Sequence, residues 1–132
     1  SSTNGSIAYI TAAYVLENKF NYGLVQNAAG KFPTPGVASI LAAAASLKSV
    51  PSDGKTGISI TNPPASAASA YPISTFTYAL VPVNTSSSVA TSLKAFIDWA
   101  ITSGQTYGSK LLFAPLPANV VTADKTAVNL IH

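Results

Sequence analysis

Four acids, one histidine and no cysteine make up nearly all of this 132-residue chain's capacity for acid, base, metal or thiol chemistry. Glu17, Asp53, Asp98 and Asp124 stand far apart in sequence. Paired-carboxylate catalysis and hard-cation binding both need two or more converging acids, and no local spacing here supplies them. His132 is the last residue, a position that suits a frayed end or the first residue of a cut tag better than a general base. Without cysteine, disulfides, thiolate metal sites and cysteine nucleophiles are excluded. Serine and threonine are plentiful, but a hydroxyl nucleophile needs a base, and the Gly-x-Ser-x-Gly elbow is absent. Ser74 and Thr75 therefore read as packed or backbone-bonded. Phosphate loops of the form Gly-x-Gly-x-x-Gly or Gly-Lys-Ser/Thr are missing as well. Phe96 and Trp99 read as core or partner-facing aromatics rather than a ligand platform. The residues thus offer no catalytic group, metal site or cofactor site, and an enzyme is not expected.

Charge narrows the partners. All seven basic residues are lysines, spread from Lys19 to Lys125 and never adjacent, and the formal net charge is +3. Nucleic-acid binders cluster Lys and Arg and set aromatics beside them, so nucleic acid is not an expected partner. Charged residues make up only 8% of the chain against 48% hydrophobic, which provides ample core material but leaves Ser, Thr, Asn, Gly and Ala to cover the surface. The longest apolar window is broken by Ser, Lys or Pro before it reaches the length of a membrane span. The opening SSTNGS has neither the basic nor the apolar region of a signal peptide, and with no initiating Met, Ser1 reads as a processed or cut end.

The elements that must position these residues are organised around Tyr71 to Val83. Ile73, Thr75, Phe76, Thr77, Tyr78 and Val81 are the β-branched and aromatic types that a pleated, packed strand selects. Both alternating faces are apolar or small, which predicts a strand covered on both sides, inside an α/β sheet. Shorter strands are predicted at Ser6 to Ile10, Tyr22 to Gln26 and Gly57 to Thr61. A helical turn or two is expected over Thr11 to Glu17, and Asn27-Ala28-Ala29-Gly30 reads as a turn. Thr34 as cap and Pro35 in the first helical position open a helix with Val37, Ile40, Leu41, Ala44 and Leu47 on one stripe, stopped by Ser49-Val50-Pro51. The small, proline-led run Asn62 to Ala70 reads as a surface loop or as a connection between two domains. Beyond Asn84 to Ser88, Val89, Leu93, Phe96, Ile97 and Ile101 mark the clearest amphipathic helix, with Lys94 and Asp98 paired on its other side. It ends at Gly104 or continues to Lys110. After the connector Leu111 to Pro117, a last helix is predicted over roughly Pro117 to Ile131, with Val120, Val121, Val128 and Ile131 presented and Asp124 and Lys125 turned away.

Taken in order, several of these stretches resemble the PstS family, the phosphate-binding proteins of bacterial high-affinity phosphate ABC transporters. Gly5-Ser6-Ile7-Ala8-Tyr9-Ile10 with Ala13-Tyr14 resembles the family's Gly-x-Ile-Gly-Tyr-Val strand and the Ala-Tyr after it, with Ala8 in place of the usual Gly. Leu24 to Phe32 fits as well. Tyr71-Pro72-Ile73-Ser74-Thr75-Phe76-Thr77-Tyr78 resembles the aromatic-Pro-Ile strand. Phe96-Ile97-Asp98-Trp99-Ala100 with Gly104-Gln105 resembles the Phe-x-x-Trp-Ala…Gly-Gln helix. Tyr107, Ala114-Pro115-Leu116-Pro117 and Val120-Val121 resemble the family's ending.

The resemblance implies a class II periplasmic-binding-protein fold, two α/β lobes joined by two crossings that close on phosphate. It further implies that this chain is the C-terminal part, with segments of both lobes: residues 1–70 in the second lobe, 71–78 as interlobe crossing and start of a strand, and 79–132 in the first lobe. Tyr71, Pro72 and Ile73 are then the hinge. In the family the anion is held by backbone amides, hydroxyls, an arginine and an aspartate of the earlier part. No residue here matches those motifs, so no phosphate-contacting residue is assigned. The implied partners are inorganic phosphate, bound together with the missing N-terminal part, and an ABC permease. The implied location is periplasmic or otherwise outside the cytoplasmic membrane, with a membrane anchor on the missing N-terminus left open. Apolar surface left bare here would be covered by that missing part, so the chain alone is expected to associate. The alternative is a non-enzymatic structural or interaction module, or one chain of a split or nicked binding protein.

Overall fold

Local periodicity forms helices in this chain, and nothing in it completes a sheet. The computed structural model describes residues 3–132. In order along them run α1 (Ala12–Glu17), α2 (Val37–Ala45), α3 (Ser87–Ile101), a 3₁₀ helix (Ser103–Leu111) and α4 (Ala118–Val128). None of these carries a side-chain N-cap hydrogen bond. The expected Thr34 cap is therefore not made. Instead Ser39, inside the first turn of α2, donates its hydroxyl backwards to the Thr34 carbonyl at 2.6 Å and the Gly36 carbonyl at 3.1 Å, and this holds the incoming chain.

The α2 stripe is only partly covered. Ser39, Ala43 and Ala44 are buried, while Val37, Ile40 and Leu41 are only half-buried. Alanines let the backbone of another segment come close, and it does: Ala43 and Ala44 pack with Ile60 and Ala70, supported by Leu47, Ala67 and Phe76. The result is a small core of small residues, with no large side chain fully buried.

In the second half, α3 packs against the 3₁₀ helix and α4. Ala90 on α3 and Val120 and Ala123 on α4 are buried there, with Ile131 beyond. After Ile101 the chain breaks at Thr102 (φ −121°, ψ −103°) and resumes as the 3₁₀ helix, so both expected endings of this helix are partly met. Gln105 secures the break by donating to the Ala100 carbonyl at 2.6 Å and accepting from the Leu116 N–H at 2.9 Å. The 3₁₀ helix closes with Leu112 in the left-handed region (φ 59°) and Phe113 N–H on the Gly108 carbonyl at 2.9 Å, a closure that usually uses glycine. His132 is not frayed: its N–H donates to Val83 O at 2.7 Å and its carbonyl accepts from Thr85 N–H at 2.8 Å. The two halves touch where Gly54 (φ +66°) lies so close to α4 that a Cβ there would stand 3.4 Å from Ala127 and Leu130.

The four predicted strands are not formed; among the described residues there is no β-ladder. A strand is completed by a neighbour's backbone, and composition reports only what would fit beside one. Ile7 and Tyr9 are fully exposed, and no backbone hydrogen bond joins Ile7 to Ile10 to another segment. Leu80, expected inside a sheet covered on both faces, is 96% exposed. The helical half of the α/β expectation is present and the sheet half is not.

Candidate functional site

Around Tyr71, Pro72 and Ile73 the backbone is held by polar groups from four places in the chain. The pin is Asn27, buried in the turn 27–31. Its Oδ1 accepts from the N–H groups of Ala29 at 3.1 Å and Lys31 at 3.0 Å, and its Nδ2 donates to the carbonyls of Ala68 at 2.9 Å and Ala70 at 3.1 Å. All four sites of one carboxamide are used, two on each segment. One residue further on, Tyr71 N–H donates to the Ser39 carbonyl of α2 at 3.0 Å. The Pro72 carbonyl accepts from Asn62 N–H at 2.7 Å, and Asn62 adopts the left-handed conformation (φ 52°) that Asn tolerates better than most residues. Ser74, also buried, donates to Tyr71 O at 2.8 Å, and its carbonyl accepts from Thr61 Oγ1 at 3.0 Å. Pro72 is buried, Tyr71 half-buried and Ile73 65% exposed. The run Asn62 to Ala70 is thus a fixed connection, with Pro63 and Ala70 buried.

Beyond Ser74 the segment continues antiparallel to residues 58–62. Thr61 faces Ser74, Asn62 faces Pro72, and Ile58 faces Tyr78, whose hydroxyl donates to Ile58 O and accepts from Ile58 N–H at 3.2 Å. Asn27, Ser39 and Tyr78 were not legible as site residues. The Asn-Ala-Ala-Gly turn signal marks Asn27 locally, but nothing local reveals that its amide reaches residues 68 and 70.

The acids do not converge, and no group of three or more His, Asp or Glu side chains among the described residues could hold a metal ion. Asp53 caps its own loop, accepting from Lys55 N–H at 3.0 Å, Thr56 N–H at 2.9 Å and Thr56 Oγ1 at 2.6 Å. The Thr56 hydroxyl foremost, then these amides, pulls its pKa down to about 2. Asp124 is half-buried rather than turned away, and burial raises its pKa. Asp98 faces not Lys94 but Lys125 of α4, at 3.7 Å, with both side chains more than half exposed; such a pair contributes little. His132 directs Nδ1 toward the Leu130 carbonyl at 2.8 Å. Phe96 stacks on Trp99 with centroids 6.1 Å apart, and Trp99 meets Tyr107 at 6.3 Å; all three are exposed rather than core.

The sequence pattern of the PBP superfamily domain matches residues 1–103. This chain belongs to the PBP superfamily. Within it, the chain is 38% identical over 120 residues to the phosphate-binding protein PstS of Xylella fastidiosa strain Temecula1, covering 89% of this chain and 32% of that protein. It is 32% identical to the Haemophilus influenzae PstS, over 92% of this chain and 36% of that protein. The Methanocaldococcus jannaschii PstS is also 32% identical, over 98% of this chain and 36% of its own length. The motif resemblance to PstS is borne out, and this PBP-superfamily chain spans about a third of the length of the curated relatives it matches.

Proposed function

We propose that this chain is the C-terminal portion of a binding protein for inorganic phosphate, serving ABC-transporter uptake outside the cytoplasmic membrane, and that it does not bind the anion alone. The similarity to proteins named phosphate-binding protein PstS, over nearly all of this chain and a third of theirs, carries the reading. Residues 1–70 and 79–132 then belong to two different α/β lobes, and Tyr71, Pro72 and Ile73 lie in one crossing between them. Closure about the crossings excludes water, so that fixed donors recognise the anion, and the closed form presents it to a permease. Two features agree with the reading. The chain has no arginine to pair with a phosphate, and its strand-like segments at Ile7 to Ile10 and Ala79 to Val81 expose apolar side chains and unpaired backbone of the kind a neighbouring strand would cover.

Calorimetric titration of inorganic phosphate, into the chain alone and into the chain mixed with the preceding portion of the protein, tests it. Heat is expected only from the mixture. Heat from the chain alone would overturn the placement of the anion site, and none from either would leave a structural module as the better account.

A further inference from the structure

We infer that the fixed part of the Tyr71 segment ends at Ser74 and that the Tyr78 hydroxyl is a latch holding the run beyond it onto Ile58. Two stretches of the chain from Ala70 to Pro82 are held in opposite ways. From Ala70 to Ser74 the backbone is bonded to Asn27, Ser39, Asn62 and Thr61, and Ala70, Pro72 and Ser74 are buried. From Thr75 to Pro82 no backbone N–H is bonded to another segment, and the surface is largely exposed. Phe76 is the last side chain packed against the core, and Tyr78 leans edge-on against it, with ring centroids 6.4 Å apart and planes at 72°. Between that ring and Val83, whose carbonyl accepts from His132 N–H, the polar tie to another segment is the Tyr78 hydroxyl, which meets both the N–H and the carbonyl of Ile58.

One hydroxyl that serves two backbone groups of a single residue makes and breaks as a unit. It is exposed, so water replaces it on opening without a buried unsatisfied group. A ladder would bond each residue in turn; this arrangement leaves the Thr75 to Pro82 run anchored at its ends, at Ser74 and through the Val83 carbonyl to His132, with the Tyr78 hydroxyl as its hold between them. The latch is local to this chain. Its meaning as a brake on lobe closure rests on the crossing reading above, which displaces the pivot from Tyr71–Ile73 to the residues after Ser74.

Amide hydrogen exchange of the isotopically labelled chain, wild type and Tyr78→Phe, tests the latch. In the wild type the amides of Asn27, Asn62 and Tyr71 should exchange slowly, those of Thr77 to Val81 fast and that of Ile58 in between. In the variant, Ile58 exchange should accelerate about tenfold, as losing one hydrogen bond predicts, while Asn27, Asn62 and Tyr71 stay within about twofold. An unchanged Ile58 rate overturns the latch, and so does equal acceleration of Tyr71 and Asn62. Protection of Thr77 to Val81 as strong as that of Tyr71 in the wild type overturns it without any variant. Because the readout is local exchange and the phosphate reading is tested by heat of binding, either can fail while the other stands.

Discussion

Asn27 and Asp124 show how differently two polar side chains fare when water is withdrawn. Asn27 is buried with every donor and acceptor matched, so its desolvation is offset where it occurs. Asp124 is half-buried on α4 with no hydrogen bond or ion pair, and burial raises its pKa. The sign follows directly. A raised folded-state pKa means that the folded chain holds its proton more readily than the unfolded one, so the favourable contribution is complete below the unfolded value and is lost as pH rises through the folded one. Asp124→Asn should therefore raise neutral-pH stability slightly, because the group stays half in water, and the gain should vanish once pH falls below the ordinary carboxyl range. Urea melts of both proteins from acid to neutral pH check this. Asp53 has the opposite sign: its contribution is present above the unfolded value and fades as pH falls toward its folded value of about 2. None of these roles was read from the sequence; Asp53's partners lie only two and three positions away, so a local turn signal could have found it, whereas those of Asn27 could not.

At the scale of elements, what the sequence carried was whatever a few adjacent turns decide. All the helices lie within expected stretches, because a 3.6-residue repeat is a local property. Which face is covered is not local. Val89 and Phe96 share the predicted stripe of α3, yet both are exposed, and Ala90 is the residue of that helix that is buried. The strands were the larger departure, for the same reason taken further: Tyr71 to Val83 has the composition of a covered strand, and its ladder partner is not among the residues described. The 3₁₀ helix adds a tighter constraint. At Gly104 an added Cβ would stand 2.9 Å from the Trp99 carbonyl oxygen and 3.3 Å from the indole ring. Gly104→Ala should cost about 1–3 kcal/mol, as overpacking against backbone does, although alanine is the better helix former. Thermal melts would show it, and an unchanged midpoint would mean that α3 and the 3₁₀ helix separate freely.

Across the whole molecule, two small alanine-rich cores meet at Gly54, and the large apolar side chains are mostly left outside. Ile7, Tyr9, Leu80 and Phe113 are each more than half exposed. Large apolar side chains left this exposed are the kind that a binding partner covers. On the proposed reading, the remainder of the binding protein would be the occupant of that surface. The relationship was legible from the motifs; the place where the Tyr71 segment is held was not, because it depends on bonds between residues 27, 39, 62, 70, 71 and 72.

The stacked rings on α3 also make the molecule its own optical probe. Trp99 is the chain's one tryptophan, and it sits half in water between Phe96 and Tyr107. Its emission should be red-shifted and readily quenched by iodide in the chain alone. It should move to the blue and become protected when the preceding portion of the protein is added, if that portion docks against α3. Emission that stays red in a mixture that binds phosphate would mean that the rings face outward in the assembled protein too, leaving them free for a different contact.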